Sequence, residues 1–161
     1  MAKIADPKVI EFLNEALKNE LTAVNQYWLH YRMLDNWGIA KLAAFEREES
    51  IDEMKHADQL AERILFLNGL PNFQMLGRLN VGETVEEILK CDLKLEEVAI
   101  PLLRDAIEYC EKIRDYVSRD LFARILESEE RHLDELEKQF DLIERMGIEN
   151  YVQMQSEAAE G

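Results

Sequence analysis

Two short motifs carry the first chemical signal: Glu53-Met54-Lys55-His56 and Glu129-Glu130-Arg131-His132. Residues three apart on a helix share a face, so each motif points one carboxylate and one imidazole the same way. Both continue as His-x-Asp, and each has a glutamate 33 residues upstream, Glu20 before Glu53 and Glu96 before Glu129. The equal spacing predicts two similar helical hairpins: four helices, each offering one Glu at similar height, two of them also offering a His. A lone carboxylate in a bundle core is very costly, so it must be paired, protonated or metal-bound. Four Glu carry four negative charges and two divalent cations carry four positive ones. Six side chains, some of them bridging, leave positions open for oxygen or water. Oxygen-rich coordination with one imidazole per metal suits iron or manganese better than structural zinc, which prefers Cys and His. One Glu-x-x-His on an acidic helix means little by itself; the matched pair of patterns is what is specific.

Several other residues stand near this constellation. Tyr27 follows Glu20 by seven residues, on nearly the same face, where a phenol could hydrogen-bond a ligating carboxylate or donate an electron. Glu46 and Glu49 precede Glu53 by seven and four, extending an acidic stripe towards the site, with Glu49 the candidate gate for iron. Met54 points about 100° away from Glu53, so sequence alone reads it as a space-filling contact. His30 falls off the Glu20 stripe and reads as structural or interfacial.

These residues need long helices. Asp6 can cap and Pro7 can open a first helix over about 7–36, with Val9, Leu13, Leu17, Leu21 and Val24 at helical spacing. Gly38 supplies a left-handed stop. A second helix runs over about 39–67 until Asn68-Gly69-Leu70-Pro71. About 15 residues of turn signals follow, which suits a crossover along a bundle. Thr84-Val85-Glu86-Glu87 is a capping box opening a third helix. From Thr84 to Met146 there is no Gly and only Pro101; one straight helix of that length would run about 95 Å at ~1.5 Å per residue. The hairpin repeat locates the hidden turn. Gly38 lies 18 residues after Glu20, and 18 after Glu96 is Arg114, so the break is expected near 112–115. The expected elements are therefore about 84–112, 115–146 and a short fifth helix over 148–155, with a frayed tail over 156–161. The fold class is all-α, a four-helix bundle with a long crossover between helices 2 and 3, in a single domain over 1–161.

Composition narrows the setting. The 161 residues carry 34 acidic and 19 basic side chains, a net charge of -15, with 47% apolar residues. Nucleic acid and anionic membrane surfaces are poor partners for such a chain; cations are good ones. No stretch approaches the ~20 apolar residues of a membrane span; the longest apolar run, Val98 to Leu103, contains Pro101. The first residues lack the apolar core of a signal peptide, and the expectation is a cytoplasmic protein. Cys91 and Cys110 lie 19 residues apart in one helical stretch, too far for a disulfide, and form no zinc or redox motif.

The arrangement is that of ferritin-like di-iron carboxylate proteins, and the chain resembles the bacterioferritins over nearly its whole length. The resemblance rests on Asn19–Tyr27, Glu49–Asp58, Arg63–Leu67, Leu70–Asn72 and Glu127–His132. It implies a hollow homo-oligomer of 24 subunits built from two-fold dimers, storing iron with ferroxidase activity on Fe(II) and oxygen or hydrogen peroxide. The family's ligands map onto Glu20, Glu53, His56, Glu96, Glu129 and His132. Glu53 and Glu129 would bridge, Glu20 and His56 would serve one iron, and Glu96 and His132 the other. It also implies non-covalent haem b at two-fold interfaces, with Met54 as axial ligand from each partner, and a small ferredoxin reductant for iron release. Leu70 and Phe73 beside Glu83 and Glu87 are a candidate docking surface for that reductant. Asp52 is implied at the inner surface. Glu48 stands where some relatives carry an iron-binding His, and Glu135 where relatives often carry an aromatic residue. The rival readings are a haem-binding electron carrier with a vestigial di-iron site, another ferritin-like di-metal oxidase, and a plain helical assembly protein.

Overall fold

A computed structural model describes residues 6–157; residues 1–5 and the end of the expected tail, 158–161, lie outside the described residues. All regular structure in the described part is helical. Helix α1 spans Pro7–Asn36, α2 Ala40–Phe66, α3 Val85–Ile113, α4 Tyr116–Met146 and α5 Ile148–Gln155. The fold is a four-helix bundle with a short C-terminal helix. Helix α1 packs chiefly on α2, and α3 on α4, the two hairpins meeting mainly through α1 and α3.

Local chemistry sets the helix ends. The Asp6 carboxylate accepts the Lys8 N–H at 2.8 Å and Pro7 occupies the first turn. Gly38 has φ +82°, the left-handed stop after α1. Thr84 caps α3 by accepting the Glu87 N–H, but Glu87 reaches back to the N–H of Glu83 at 2.8 Å, one residue beyond the usual capping-box partner. The turn between α3 and α4 is made without glycine. Arg114 takes φ +67°, and Asp115 caps α4 by accepting the Ser118 N–H. Arg63 of α2 braces this turn, donating to Asp115 Oδ1 and to Ser118 Oγ. Pro101 lies inside α3 and does not end it.

The core is divided. One apolar cluster, including Leu13, Leu17, Leu60, Ile64, Leu103 and Phe122, fills one end of the bundle. A second, including Leu34, Leu42, Ile88, Leu89, Leu136 and Tyr151, fills the other. Each such side chain contributes about 1.5–3 kcal/mol on burial. Glu20, Glu53, Glu96, Glu129 and His132, with Tyr27, Gln26, His30, Glu46 and Asp92, are buried too but belong to neither cluster. The apolar ends hold the helices together and fix the height of this polar belt.

Candidate metal centre

The belt gathers the six residues picked out by spacing. Glu20, Glu53, His56 and Glu129 form one group whose ligand atoms all lie within 4.8 Å of one another; Glu53, Glu96, Glu129 and His132 form a second by the same measure. Glu53 and Glu129 are common to both. His56 Nδ1 lies 3.3 Å from Glu129 Oε1, 3.6 Å from Glu20 Oε2 and 3.9 Å from Glu53 Oε2. On the other side His132 Nδ1 lies 2.9 Å from Glu96 Oε1 and 3.9 Å from Glu129 Oε2. The Tyr27 hydroxyl donates to Glu96 Oε1 at 2.8 Å, so the phenol steadies a carboxylate of the centre from across the bundle.

Charge is tightly managed here. Burial, and then the charge of Glu129, push Glu20 up to about 8. Burial raises Glu96 well above the usual carboxylate range, assisted by Glu129. Burial opposes a charge on His56, but the nearby carboxylates of Glu129 and Glu20 outweigh it and raise the ring to about 10. His132 is raised in the same way by Glu129 and Glu96. Burial also opposes ionisation of Glu129, yet Glu96 and both imidazoles hold it below the usual range. The buried atoms Glu20 Oε2, Glu96 Oε2, Glu129 Oε1 and His56 Nδ1 have no hydrogen-bond partner. Orphaned oxygens and imidazole nitrogens converging in two overlapping groups fit a pair of divalent cations.

Two openings lead to the centre. A cavity of about 200 Å³ runs from Lys18, Thr22, Gly77 and Arg78 to Glu20, Glu53, Glu96 and Glu129. A second, of about 160 Å³, is lined by Glu49, Asp52, Ser128, Arg131, His132 and Glu135. Glu49 Oε2 lies 3.0 Å from His132 Nε2, and burial raises Glu49 to about 7. Glu46 departs from the expected stripe. It is wholly buried and turns instead towards His30 and Asp92. His30 is structural rather than interfacial, fully buried and bonded to Asp92 at 2.9 Å. Met54 is 49% exposed while Glu53 beside it is 2% exposed, so neighbouring residues face opposite ways.

The comparisons with known proteins agree with this geometry. The family described as Ferritin-like domain matches residues 10–146. The chain is 51% identical over 155 residues to a bacterioferritin of Brucella melitensis, covering 96% of each. The chain belongs to the bacterioferritins. It is also 50% identical to a bacterioferritin of Rhodobacter capsulatus, over 91% of each chain. Against one of Streptomyces coelicolor it is 50% identical, over 91% of this chain and 88% of that one. Sequence reasoning did not single out Asp92 or Gln26. Asp92 stands one helical turn before Glu96 and Gln26 next to Tyr27, and polar residues on a stripe that must be buried were the available signal.

Proposed function

We propose that the protein stores and detoxifies iron, and that the buried centre is a ferroxidase taking Fe(II) as substrate. The observation that carries this reading is the pair of overlapping ligand groups joined by Glu53 and Glu129. Glu53 and Glu129 bridge the two positions, Glu20 and His56 complete one, and Glu96 and His132 complete the other. Iron bound there supplies the redox chemistry: two Fe(II) give up two electrons together, matching the two-electron reduction of oxygen to hydrogen peroxide, or of peroxide to water. The protein positions and neutralises. Tyr27 fixes Glu96, and the protons of Glu20, Glu96, His56 and His132 leave as cations arrive. Glu49 and Asp52, at the opening beside His132, serve iron passage towards an inner surface.

The wider reading is a 24-subunit shell of two-fold dimers in the cytoplasm, each chain a single ferritin-like domain. Met54 fits a haem ligand, since its soft thioether is presented outside the bundle and a second copy would offer a second one. Haem b held there without covalent attachment would supply a one-electron path for reductive release. Leu70 and Phe73, 80% and 53% exposed, beside Glu83 and Glu87, suit docking of a small ferredoxin.

The test is anaerobic Fe(II) binding followed by oxygen addition. Two Fe(II) per chain should bind and then oxidise rapidly. Glu96→Ala should slow oxidation by about a hundredfold or more, with the assembly intact. An unchanged rate overturns the di-iron reading. A haem spectrum without rapid oxidation in the wild type would favour an electron carrier with a vestigial site.

A further inference from the structure

One helical turn from the metal centre lies a second buried cluster: His30, Glu46 and Asp92, with Gln26 beside them. Its hydrogen bonds have a definite polarity. The Gly82 N–H donates to His30 Nε2 at 3.1 Å, so that nitrogen carries the lone pair and Nδ1 carries the hydrogen. Nδ1 then donates to Asp92 Oδ1 at 2.9 Å. Gln26 repeats the logic. Its Nε2 donates to the same Asp92 oxygen at 3.0 Å, and its Oε1 accepts the Asn80 N–H at 3.1 Å. Both ring nitrogens of His30 are thus committed, and the ring is not available to a metal. Glu46 completes the cluster. Burial, and behind it the neighbouring Asp92, push its carboxyl well above the usual range.

Asn80 and Gly82 belong to the crossover between α2 and α3. The same stripe of α1 holds that strap at two further points. Thr22 Oγ1 accepts the Gly77 N–H at 2.8 Å, and Asn14 Oδ1 accepts the Asn72 N–H at 2.8 Å. Gly77 and Arg78 of the strap line the 200 Å³ cavity above the metal centre.

We propose that Asp92 is a positioning residue for access to the di-metal centre: by orienting Gln26 and fixing the hydrogen of His30, it makes both present acceptors to Asn80 and Gly82 and so fastens the crossover beside Gly77 and Arg78 at the cavity mouth. This role in access rests on the di-iron reading above. Both donors reach the same oxygen, which an asparagine amide could still offer, so the discriminating change is Asp92→Leu: it removes the acceptor and leaves the Gln26 amide and the His30 Nδ1–H without the partner that orients them.

The experiment uses the assembled protein. In Asp92→Leu, hydrogen exchange of the segment containing Asn80 and Gly82 should quicken about tenfold or more, with the helices unchanged. Anaerobic Co(II) uptake, followed by its visible absorption, should show a bimolecular rate constant raised about threefold or more, because Arg78 no longer holds its cation at the mouth. Oxidation of pre-bound Fe(II) should change by less than about twofold, a split that general loosening of the bundle would not give. Wild-type protection at Asn80 and Gly82, or unchanged Co(II) uptake, overturns the proposal. If Asp92→Leu fails to assemble, Gln26→Leu removes a single arm and must quicken exchange at Asn80; full protection there overturns it equally. Thr22→Val should free Gly77 while Asn80 and Gly82 stay protected, and release of all three would overturn the assignment to Asp92. A wild type that takes up no Co(II) sinks the di-iron reading and the access role together, while exchange still decides the latch.

Discussion

Glu129 and Glu20 sit in the same cluster with their carboxyls shifted in opposite directions, and that opposition predicts how pH acts on the metal-free protein. Glu20 is raised to about 8, so the folded chain keeps a proton there that the unfolded chain releases near its ordinary value of 4.5. Stability from that proton is complete below about 4.5 and is lost as pH rises through 8. His56, raised to about 10, holds its contribution to higher pH. Glu129 is depressed and acts only in acid, outside this window. The expected outcome is a melting temperature of the metal-free protein that falls as pH rises from about 5 to 9. In the metal-loaded protein cations replace the protons, and the fall should disappear. Differential scanning calorimetry with and without bound Zn(II) checks both, and a flat metal-free profile would contradict the proton placement. The six clustered residues were legible from spacing because a helix face repeats every three or four residues. The fate of Glu46 was not: Glu46 and Glu49 look alike in the sequence, and only the packing of α1 and α3 turns one towards Asp92 and leaves the other at an opening.

The helices were legible wherever a strong local signal ends them, as at Pro7, Gly38 and Thr84. The α3–α4 turn was visible only through the repeat, because its left-handed residue is Arg114 rather than glycine. Such a residue carries a local cost of roughly 1–2 kcal/mol, and the Asp115 cap braced by Arg63 offsets it. The crossover was legible as such from its turn signals, but its fastening was not, since that comes from α1 side chains distant in sequence. Gly82 shows how closely it is fitted. A Cβ there would stand 2.3 Å from the Ile88 nitrogen and 2.6 Å from its Cα, both backbone. At Gly38 a Cβ would meet nothing within 4 Å, and only its φ of +82° is at stake. Gly82→Ala should therefore destabilise by about 1–3 kcal/mol as an overpacking change, and Gly38→Ala by less, about 1 kcal/mol. Chemical denaturation of the two variants measures the order, and the reverse order would contradict the fit of strap to α3.

An isolated chain with this surface is incomplete. Trp28, Leu29, Met54, Leu65, Leu70 and Val117 are each 40% exposed or more, and apolar exposure on that scale marks surfaces that other molecules cover. Charge acts against association: the proposed 24 chains at -15 would sum to 24 × -15 = -360. Such an assembly would need apolar interfaces to hold it, and acidic side chains on its pores and cavity would draw Fe(II) inwards. The expected mass by sedimentation is 24 × 18.9 kDa, about 454 kDa. Substitution at Met54 tests the proposed haem separately from the proposed shell. It lies on the outer face of α2, opposite the buried Glu53, so its substitution leaves the metal centre and the apolar core untouched. Met54→Leu should keep the 454 kDa assembly and rapid Fe(II) oxidation, yet lose the thioether-ligated haem spectrum of the wild type. The same spectrum in Met54→Leu would remove Met54 as the ligand, and a mass near 18.9 kDa for the wild type would remove the shell itself.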